Sequence, residues 1–207
     1  MVSPYFGIPV EKWADKTKEL IEQHPLDVNE IYEIVMSVWE EIFESSITSR
    51  GYKIGKDIFP SPQIIGSLLH ELIPLELSSK YPQVWRREQN TTEKDLVYIP
   101  DDSFSVEIKT SSSPRDFFGN RSYAQKSTTG KTKKSKSGYY LIINFEKIEK
   151  KTKQTDNLLL TNPKIKLVRF GWIDQEDWQG QTSATGQQAK LSVDVKRYKL
   201  LELPLSN

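Results

Sequence analysis

The chain has 207 residues, of which 36% are hydrophobic and 28% are charged, with two His and no Cys. This length and balance predict one globular domain over 1–207 and exclude an intrinsically disordered chain. The absence of Cys excludes disulfides, thiolate metal sites and thiol catalysis; with no leader and no membrane-length apolar run, we expect a cytoplasmic protein.

The formal net charge of +1 averages two unlike halves. Residues 1–107 contain 19 acidic and 10 basic residues, whereas residues 108–207 contain 9 acidic and 19 basic residues. The segment 117–145 contains basic residues and no acidic ones. Such asymmetry is typical of chains that bind a nucleic acid or a membrane surface, although a solvated lysine-rich loop would give the same pattern.

Apolar residues at helical spacing predict helices in the first part of the chain. The pattern covers 10–23 and, more strongly, 29–47. A third helix is predicted over 61–73, because Ser61 can cap its first turn and Pro74 should disturb its end.

After the helices, apolar and polar residues alternate with the period of a strand. Strands are predicted over 94–99, 104–110, 139–145, 164–173 and 190–203. A chain that is mainly helical over 1–90 and mainly strands over 94–207 fits an α+β domain or a mixed α/β sandwich. We therefore predict an α/β fold with a mixed sheet flanked by helices.

One predicted strand carries a chemical constellation. Glu107 and Lys109 are two residues apart and project from the same side of that strand. A hairpin with a two- or three-residue loop at Asp101 and Asp102 would set Asp95 opposite position 107, 108 or 109, where opposed Cα atoms are about 4.5–5.5 Å apart. Two carboxylates and a lysine therefore converge at one end of the hairpin.

This combination suits divalent-metal phosphoryl chemistry. Asp95, Glu107 and the Ile108 backbone carbonyl offer the oxygen ligands that Mg²⁺ prefers, whereas zinc is disfavoured without Cys or a His cluster. Lys109 can orient a water and support the transition state. Glu71, at the edge of the apolar stripe of the third predicted helix, calls for a partner such as a metal or a lysine, unless it is a surface residue.

The pattern Asp95…Glu107-x-Lys109, on a hairpin after an acidic helix, resembles the PD-(D/E)xK nuclease superfamily. The literal Pro100–Asp101 dipeptide lies in the turn, so we take Asp95 as the metal ligand and Asp101 as a decoy. Further stretches are similar to type II restriction endonucleases of the ScaI-like group. These stretches are 3–5, 70–74, 107–111, 118–123, 137–140 and 171–178.

The resemblance implies a restriction-endonuclease-like core and Mg²⁺-dependent cleavage of double-stranded DNA at a short palindrome, with Mn²⁺ as a substitute ion. Products would carry a 5′-phosphate and a 3′-hydroxyl. Asp95, Glu107 and Lys109 would form the catalytic core, with Glu71 as an additional acid. A homodimer, a cognate DNA methyltransferase and a prokaryotic cytoplasm are also implied. Two alternatives stay open: a structure-specific or repair nuclease of the same superfamily, and a non-catalytic DNA-binding module.

Basic and polar residues after the catalytic strand are candidate DNA contacts. Arg121 and Tyr123 could bind a phosphate near the cut. The lysines that follow them could contact the DNA backbone, and the later Gln, Ser and Thr residues could read bases. For each group, an ordinary solvent-exposed loop is the alternative. The candidates are Arg121, Tyr123, Lys126, Lys131, Lys133, Lys134, Lys136, Gln181, Thr182, Ser183, Thr185, Gln187 and Gln188.

Overall fold

Three helices precede the strands in the fold, as the apolar spacing predicts. The computed structural model describes residues 2–125, 134–149, 163–182 and 186–204. Its α-helices are α1 (Trp13–Glu22), α2 (Val28–Glu44), α3 (Pro62–Lys80) and α4 (Val193–Tyr198). None of the helices in these described ranges is long and apolar enough to span a membrane.

The predicted end of the third helix is wrong, because α3 continues through Pro74 to Lys80. Proline lacks an N–H and clashes with the preceding turn, which is why a stop was expected there. The apolar face of α3 continues beyond this position, since Ile65, Leu69, Ile73 and Leu77, at intervals of four residues, are all fully buried. Burial of this stripe outweighs the local cost of the proline.

The strands form two sheets. The first has the order β1-β2-β3-β5-β6-β9, in which β3 and β5 are parallel and all other neighbours are antiparallel; the second has the order β4-β8-β7. The predicted mixed sheet flanked by helices is thus confirmed. The strands are β1 (Trp85–Arg87), β2 (Leu96–Tyr98), β3 (Val106–Ser111), β4 (Gly119–Asn120), β5 (Gly138–Phe145), β6 (Ile165–Ile173), β7 (Trp178–Gly180), β8 (Gln188–Leu191) and β9 (Leu200–Leu203).

Two strand predictions need correction. The segment 190–203 is not one strand, because α4 separates β8 from β9, and the Ser192 hydroxyl caps α4 by accepting a hydrogen bond from the Val195 N–H. The connection between β2 and β3 is longer than the predicted short loop and contains a 3₁₀ turn, Asp102–Phe104. Asp101 caps this turn by accepting a hydrogen bond from the Ser103 N–H at 2.9 Å, so it has a structural role there.

The central sheet separates two apolar cores. On one face, alternate residues of β3, β5 and β6 pack against α1, α2 and α3. On the other face, Tyr140, Ile142 and Ile173 pack against the small sheet and α4. The period-two alternation of the strands produces this division, and it also decides on which face each charged side chain of β3 lies.

Candidate active site

Strand β3 holds Glu107 and Lys109 on the face opposite the helices. Val106 and Ile108 are fully buried in the helix-covered core, so the alternating residues point to the other side of the sheet. Glu107 is nevertheless 3% exposed, because the small sheet and its neighbouring turn cover that side. The predicted projection of Glu107 and Lys109 from one side of the strand is confirmed.

Strand β2 brings Asp95 next to β3. Leu96 pairs with Val106 in the antiparallel register, which sets the preceding Asp95 beside Glu107. The Asp95 carboxylate accepts a hydrogen bond from the Ile108 backbone N–H at 2.6 Å. The predicted proximity of Asp95 to residues 107–109 is therefore confirmed, although the connecting turn differs from the predicted one.

Each oxygen of the Glu107 carboxylate has a lysine beside it, but only Oε1 accepts hydrogen bonds from the described residues. Its Oε1 accepts hydrogen bonds from Lys109 Nζ and from the buried Tyr123 hydroxyl, both at 2.6 Å. Lys109 Nζ also donates to the Ile108 carbonyl at 3.2 Å. Glu107 Oε2 is buried and accepts no hydrogen bond of good geometry from the described residues, although Lys134 Nζ lies only 2.6 Å away.

Lys134 places one ammonium group between the two carboxylates. Its Nζ lies 2.6 Å from Glu107 Oε2 and 3.4 Å from Asp95 Oδ1. Glu88, just after β1, has its Oε2 at 3.8 Å from the same nitrogen. A single cation therefore contacts Asp95 and Glu107 together, which is the arrangement that a shared metal ion also requires.

Positive neighbours keep both carboxylates ionised. Burial favours the neutral form of Asp95, but His70 together with the charges of Lys109 and Lys134 outweighs burial and lowers its pKa well below the usual range. Burial likewise opposes ionisation of Glu107, yet Lys109 and Lys134 lower its pKa despite the repulsion from Asp95. Both residues are thus available as anionic oxygen ligands near neutral pH.

A third lysine, Lys94, lies behind the carboxylates. Its Nζ is buried, has no hydrogen-bond partner among the described residues and lies 4.8 Å from the centre of the Tyr140 ring. Burial lowers the pKa of Lys94 to about 8, against the opposing attraction of Glu107. Gly138, at φ +142°, makes room for it, because a Cβ there would lie 3.1 Å from the ammonium nitrogen.

The helical spacing predicts Glu71 at the edge of the buried stripe of α3, and this prediction is wrong. The Glu71 side chain is 61% exposed and forms an ion pair with Arg87. The adjacent His70 is the helix residue that contacts Asp95, with Nδ1 at 3.6 Å from Oδ2, and the helical spacing did not single it out. The buried stripe of α3 runs through Ile65, Leu69 and Ile73, and a residue two positions after Leu69 lies on the opposite side of the helix.

An open cleft of about 820 Å³ lies between α3 and the end of β3. Asp95, Glu107 and Lys109 do not line it, but His70 does and contacts Asp95. The helix approaches the strand closely at Gly66, where a Cβ would lie 2.5 Å from Thr110 Oγ1. His70 and Glu71 line one side of the cleft, and Gln188 lines another. The predicted additional acid and one predicted base-reading residue therefore face the same space.

Two predicted DNA contacts point inward instead. The Tyr123 hydroxyl is bound to Glu107, and burial together with the Glu107 charge raises the pKa of Tyr123. Lys134 lies against the carboxylates with its side chain 14% exposed. Both residues contact the candidate catalytic group rather than facing outward to a phosphate backbone.

The other described candidates lie around the turn and the β7–β8 hairpin. Arg121 donates to the Gly186 carbonyl at 3.1 Å, which ties the two segments together, and Lys136 Nζ lies 4.0 Å from the Tyr123 ring centre. Thr182, Gln187 and Gln188 are exposed, and Gln181 is half-buried. Five candidates lie outside the described residues: Lys126, Lys131, Lys133, Ser183 and Thr185.

The mixed sheet flanked by helices, with two acids and a lysine on adjacent strands, is consistent with a restriction-endonuclease-like fold. The model of the ScaI restriction endonuclease family matches residues 3–204. The type II restriction enzyme ScaI of Streptomyces caespitosus is 44% identical over 201 residues, which cover 97% of this chain and 84% of that protein. No solved structure matches the chain.

The chain therefore belongs to the ScaI restriction endonuclease family. It is a type II restriction endonuclease, a site-specific deoxyribonuclease whose substrate is DNA. This assignment confirms the resemblance and favours the restriction enzyme over the repair nuclease and the non-catalytic module. Type II restriction enzymes generally require a divalent metal ion.

Proposed function

We propose that the protein hydrolyses phosphodiester bonds of double-stranded DNA at a short palindrome, with Mg²⁺ as cofactor, and leaves 5′-phosphate and 3′-hydroxyl ends. The observation that carries the proposal is the convergence of Asp95, Glu107 and Lys109. An open cleft reaches this group through His70, which lines the cleft and contacts Asp95. Membership of a restriction endonuclease family supports the same reaction class.

The donor set around Glu107 fits a divalent cation. Its Oε2 is a buried carboxylate oxygen that pairs with the Lys134 ammonium at 2.6 Å but accepts no hydrogen bond of good geometry from the described residues, and Asp95 presents a second carboxylate to the same ammonium. No three Asp, Glu or His side chains within the described ranges are grouped as a preformed metal site. Mg²⁺ typically takes one or two carboxylates and completes its octahedron with waters and substrate phosphate oxygens.

Asp95, Glu107 and the Ile108 carbonyl would hold Mg²⁺, or Mn²⁺ as a substitute that accepts the same oxygen ligands. When bound, the ion would supply positive charge that lowers the pKa of a water and offsets the charge that develops on the scissile phosphate. The carboxylates are ionised and next to each other before the ion arrives. The site thus needs little rearrangement of the sheet to bind it.

Lys109 would orient the attacking water. An ammonium has three N–H donors, and two of them are used by Glu107 Oε1 and the Ile108 carbonyl. The third donor can point to the water or to a non-bridging phosphate oxygen. The water oxygen would add to phosphorus and lose a proton to solvent, while the bond between phosphorus and the 3′ oxygen breaks. The 3′ oxygen would take a proton from solvent, which leaves a 3′-hydroxyl and a 5′-phosphate. Tyr123 keeps the Glu107 carboxylate in place during this step.

Residues lining the cleft would extend the site toward the DNA. Glu71 is proposed as an additional acid that acts through water, because it is exposed beside His70 at the cleft. Arg121 and Lys136 would approach phosphates, and the exposed Gln187 and Gln188 would reach base edges, since a glutamine amide can pair with adenine in the major groove.

The proposed palindrome has consequences for partners. A two-fold symmetric site is matched by a two-fold symmetric protein, so we propose a homodimer on the DNA. A cell that contains this activity needs a cognate DNA methyltransferase to protect its own sites. Both partners fit an enzyme of the prokaryotic cytoplasm, where the chromosome lies.

Digestion of a sequenced plasmid with Mg²⁺, followed by run-off sequencing of the ends, tests the proposal. We expect discrete fragments whose ends share one short palindrome, 5′-phosphates that support ligation, and loss of cutting with EDTA that added Mg²⁺ restores. Cutting that persists in EDTA, random ends, or cutting only at junctions and lesions would contradict it.

A further inference from the structure

Lys134 occupies the point at which the candidate metal ligands meet. Its ammonium nitrogen lies within 4 Å of three carboxylates that come from separate segments: Glu107 at 2.6 Å, Asp95 at 3.4 Å and Glu88 at 3.8 Å. The side chain is only 14% exposed. A lysine in this position neutralises the acidic cluster from inside rather than extending to solvent.

An ammonium and a divalent ion cannot both hold this position. Mg²⁺ binds carboxylate oxygens at about 2.0–2.1 Å, so an ion on Glu107 Oε2 would lie within a few ångströms of Lys134 Nζ. Two cations at that distance repel each other strongly in a buried setting. One of them must leave, and the lysine is the mobile one, because its charge is carried on a flexible four-carbon stem.

The contacts of the two lysines on Glu107 differ in a way that supports this exchange. Lys109 forms a hydrogen bond with Oε1 and a second one with the Ile108 carbonyl, so it can stay while Oε2 changes partner. Lys134 is close to Oε2, but the oxygen lacks a hydrogen bond of good geometry. Lys134 does donate a hydrogen bond to Asp95 Oδ1, but this bond is long at 3.4 Å, so attraction between charges is what holds Lys134 at Glu107.

We propose that Lys134 is a resident counter-cation of the Asp95–Glu107 pair, which a divalent ion displaces and which then contacts a DNA phosphate. The proposal rests on the proposed function, in which these carboxylates bind the metal. Displacement couples the two ligands: the metal must first overcome Lys134, and a phosphate that attracts the released lysine strengthens metal binding. By linkage, metal also strengthens DNA binding to the same degree.

Mn²⁺ titration of the purified full-length protein without DNA, followed by electron paramagnetic resonance of the free ion, tests the competition. We expect Lys134→Gln to bind Mn²⁺ roughly tenfold more tightly than the unsubstituted protein, within the usual range of coupling between two binding events. Lys134→Arg keeps the cation and should bind no more tightly than the unsubstituted protein. Lys166→Gln is the matched control, since Lys166 is an exposed lysine that pairs with Glu146 on the surface.

The outcomes separate the two proposals. Lys134→Gln and Lys134→Met should first be shown to be folded by circular dichroism. If both bind Mn²⁺ no more tightly than the unsubstituted protein, the proposal that Lys134 is a counter-cation is wrong, whereas the proposed metal site is unaffected. If Asp95→Asn leaves Mn²⁺ binding unchanged, or no variant binds Mn²⁺ even with a duplex present, the proposed metal site itself is wrong.

The salt dependence of DNA binding tests the second half of the proposal. Each lysine–phosphate contact adds about 0.9 to the slope of log affinity against log salt concentration. Addition of Ca²⁺ should steepen the slope for the unsubstituted protein by about 0.9 more than for Lys134→Gln. Equal changes in the two proteins would show that the displaced lysine does not reach a phosphate.

Discussion

Two buried clusters in this protein combine lysine with two carboxylates, and they differ in how completely their bonding is satisfied. In the first, Lys199 Nζ donates to Asp174 at 2.9 Å and to both oxygens of Asp177 at 3.0 and 2.8 Å. In the second, Asp95 and Glu107 share their surroundings with three lysines, and Glu107 Oε2 and Lys94 Nζ are left without hydrogen bonds among the described residues. We call the Lys199 cluster closed, because its lysine is hydrogen-bonded to both carboxylates. The Asp95–Glu107 cluster is open, because two of its polar atoms form no hydrogen bond with the described residues.

The closed cluster is structural. Asp174 also accepts hydrogen bonds from Ser3 and from the Trp172 indole, so it ties the N-terminal segment to the end of β6. Burial raises the pKa of Asp177 despite its pairing with Lys199. At the candidate active site the excess of lysines has the opposite effect and lowers the pKa values of the carboxylates. Unmet bonding and surplus positive charge thus distinguish the candidate active site from the Lys199 cluster.

The largest effect is expected from Lys109→Ala. Removal of this ammonium should lower the single-turnover rate of DNA cleavage about a thousandfold, because an electrostatic donor to the reacting centre is lost. DNA binding in Ca²⁺ should stay within a few-fold. Lys12→Ala is the control, because Lys12 is 69% exposed and pairs with Asp15 on the surface; this variant should cleave normally. A Lys109→Ala enzyme that cuts at the normal rate would remove this residue from the mechanism.

Lys199→Met should break the closed cluster. It leaves two buried carboxylates without their cation, which we expect to lower the free energy of unfolding by about 3 kcal/mol. Urea unfolding followed by circular dichroism measures this loss. The folded variant should still bind Mn²⁺ as the unsubstituted protein does. Loss of metal binding in the folded variant would contradict the view that only the Asp95–Glu107 cluster binds the metal.

His24 extends the comparison to a third buried group with satisfied bonding. Its Nε2 bonds the Phe104 carbonyl at 2.9 Å, its Nδ1 accepts from the Leu26 N–H, and burial lowers its pKa from 6.5 to about 4. Below pH 6.5 the unfolded state takes up a proton that the folded state refuses, so stability falls as the pH drops towards 4. We expect a loss of about 2 kcal/mol between pH 7 and pH 5.

Urea midpoints measured across that pH range check the His24 prediction. His24→Gln, which does not titrate, should lose this part of the pH dependence even if it is less stable at pH 7. The same pH dependence in both proteins would assign the effect to other groups.

Lys94→Met should have the smallest effect, and with the opposite sign to Lys199→Met. Because Lys94 has no hydrogen bond to lose, replacement of its buried ammonium by an apolar group should raise the free energy of unfolding by about 1 kcal/mol. The same urea experiment measures it. Destabilisation by both substitutions would mean that the two clusters are alike in their bonding.

Local patterns were sufficient to predict much of the fold. Apolar spacing predicted α1 and α2. In the structure Asp27 caps α2, because its carboxylate accepts hydrogen bonds from the Asn29 and Glu30 N–H groups. Alternation gave β3, β5 and β6 together with the facing of Glu107 and Lys109. The extension of α3 and the helix within 190–203 could not be read in this way, since tertiary burial decides both against local signals.

The core of the candidate site followed from strand periodicity, but its surroundings did not. Lys94, His70 and Glu88 contact or neighbour the carboxylates through the packing of other segments, and no spacing in the sequence connects them to Glu107. Lys94 directly precedes Asp95, which is a weak signal of its position. The inward placement of Lys134 depends on long-range packing, since charge alone suggested an outward phosphate contact.

The most direct test compares one carboxylate from each cluster by single-turnover cleavage of plasmid DNA in Mg²⁺. Asp95→Asn, shown to be folded by circular dichroism, should cleave about a thousandfold more slowly than the unsubstituted enzyme. Asp177→Asn should be less stable but cleave within a few-fold of the normal rate. Normal cleavage by Asp95→Asn, or lost cleavage by folded Asp177→Asn, would contradict the assignment of catalysis to the Asp95–Glu107 cluster.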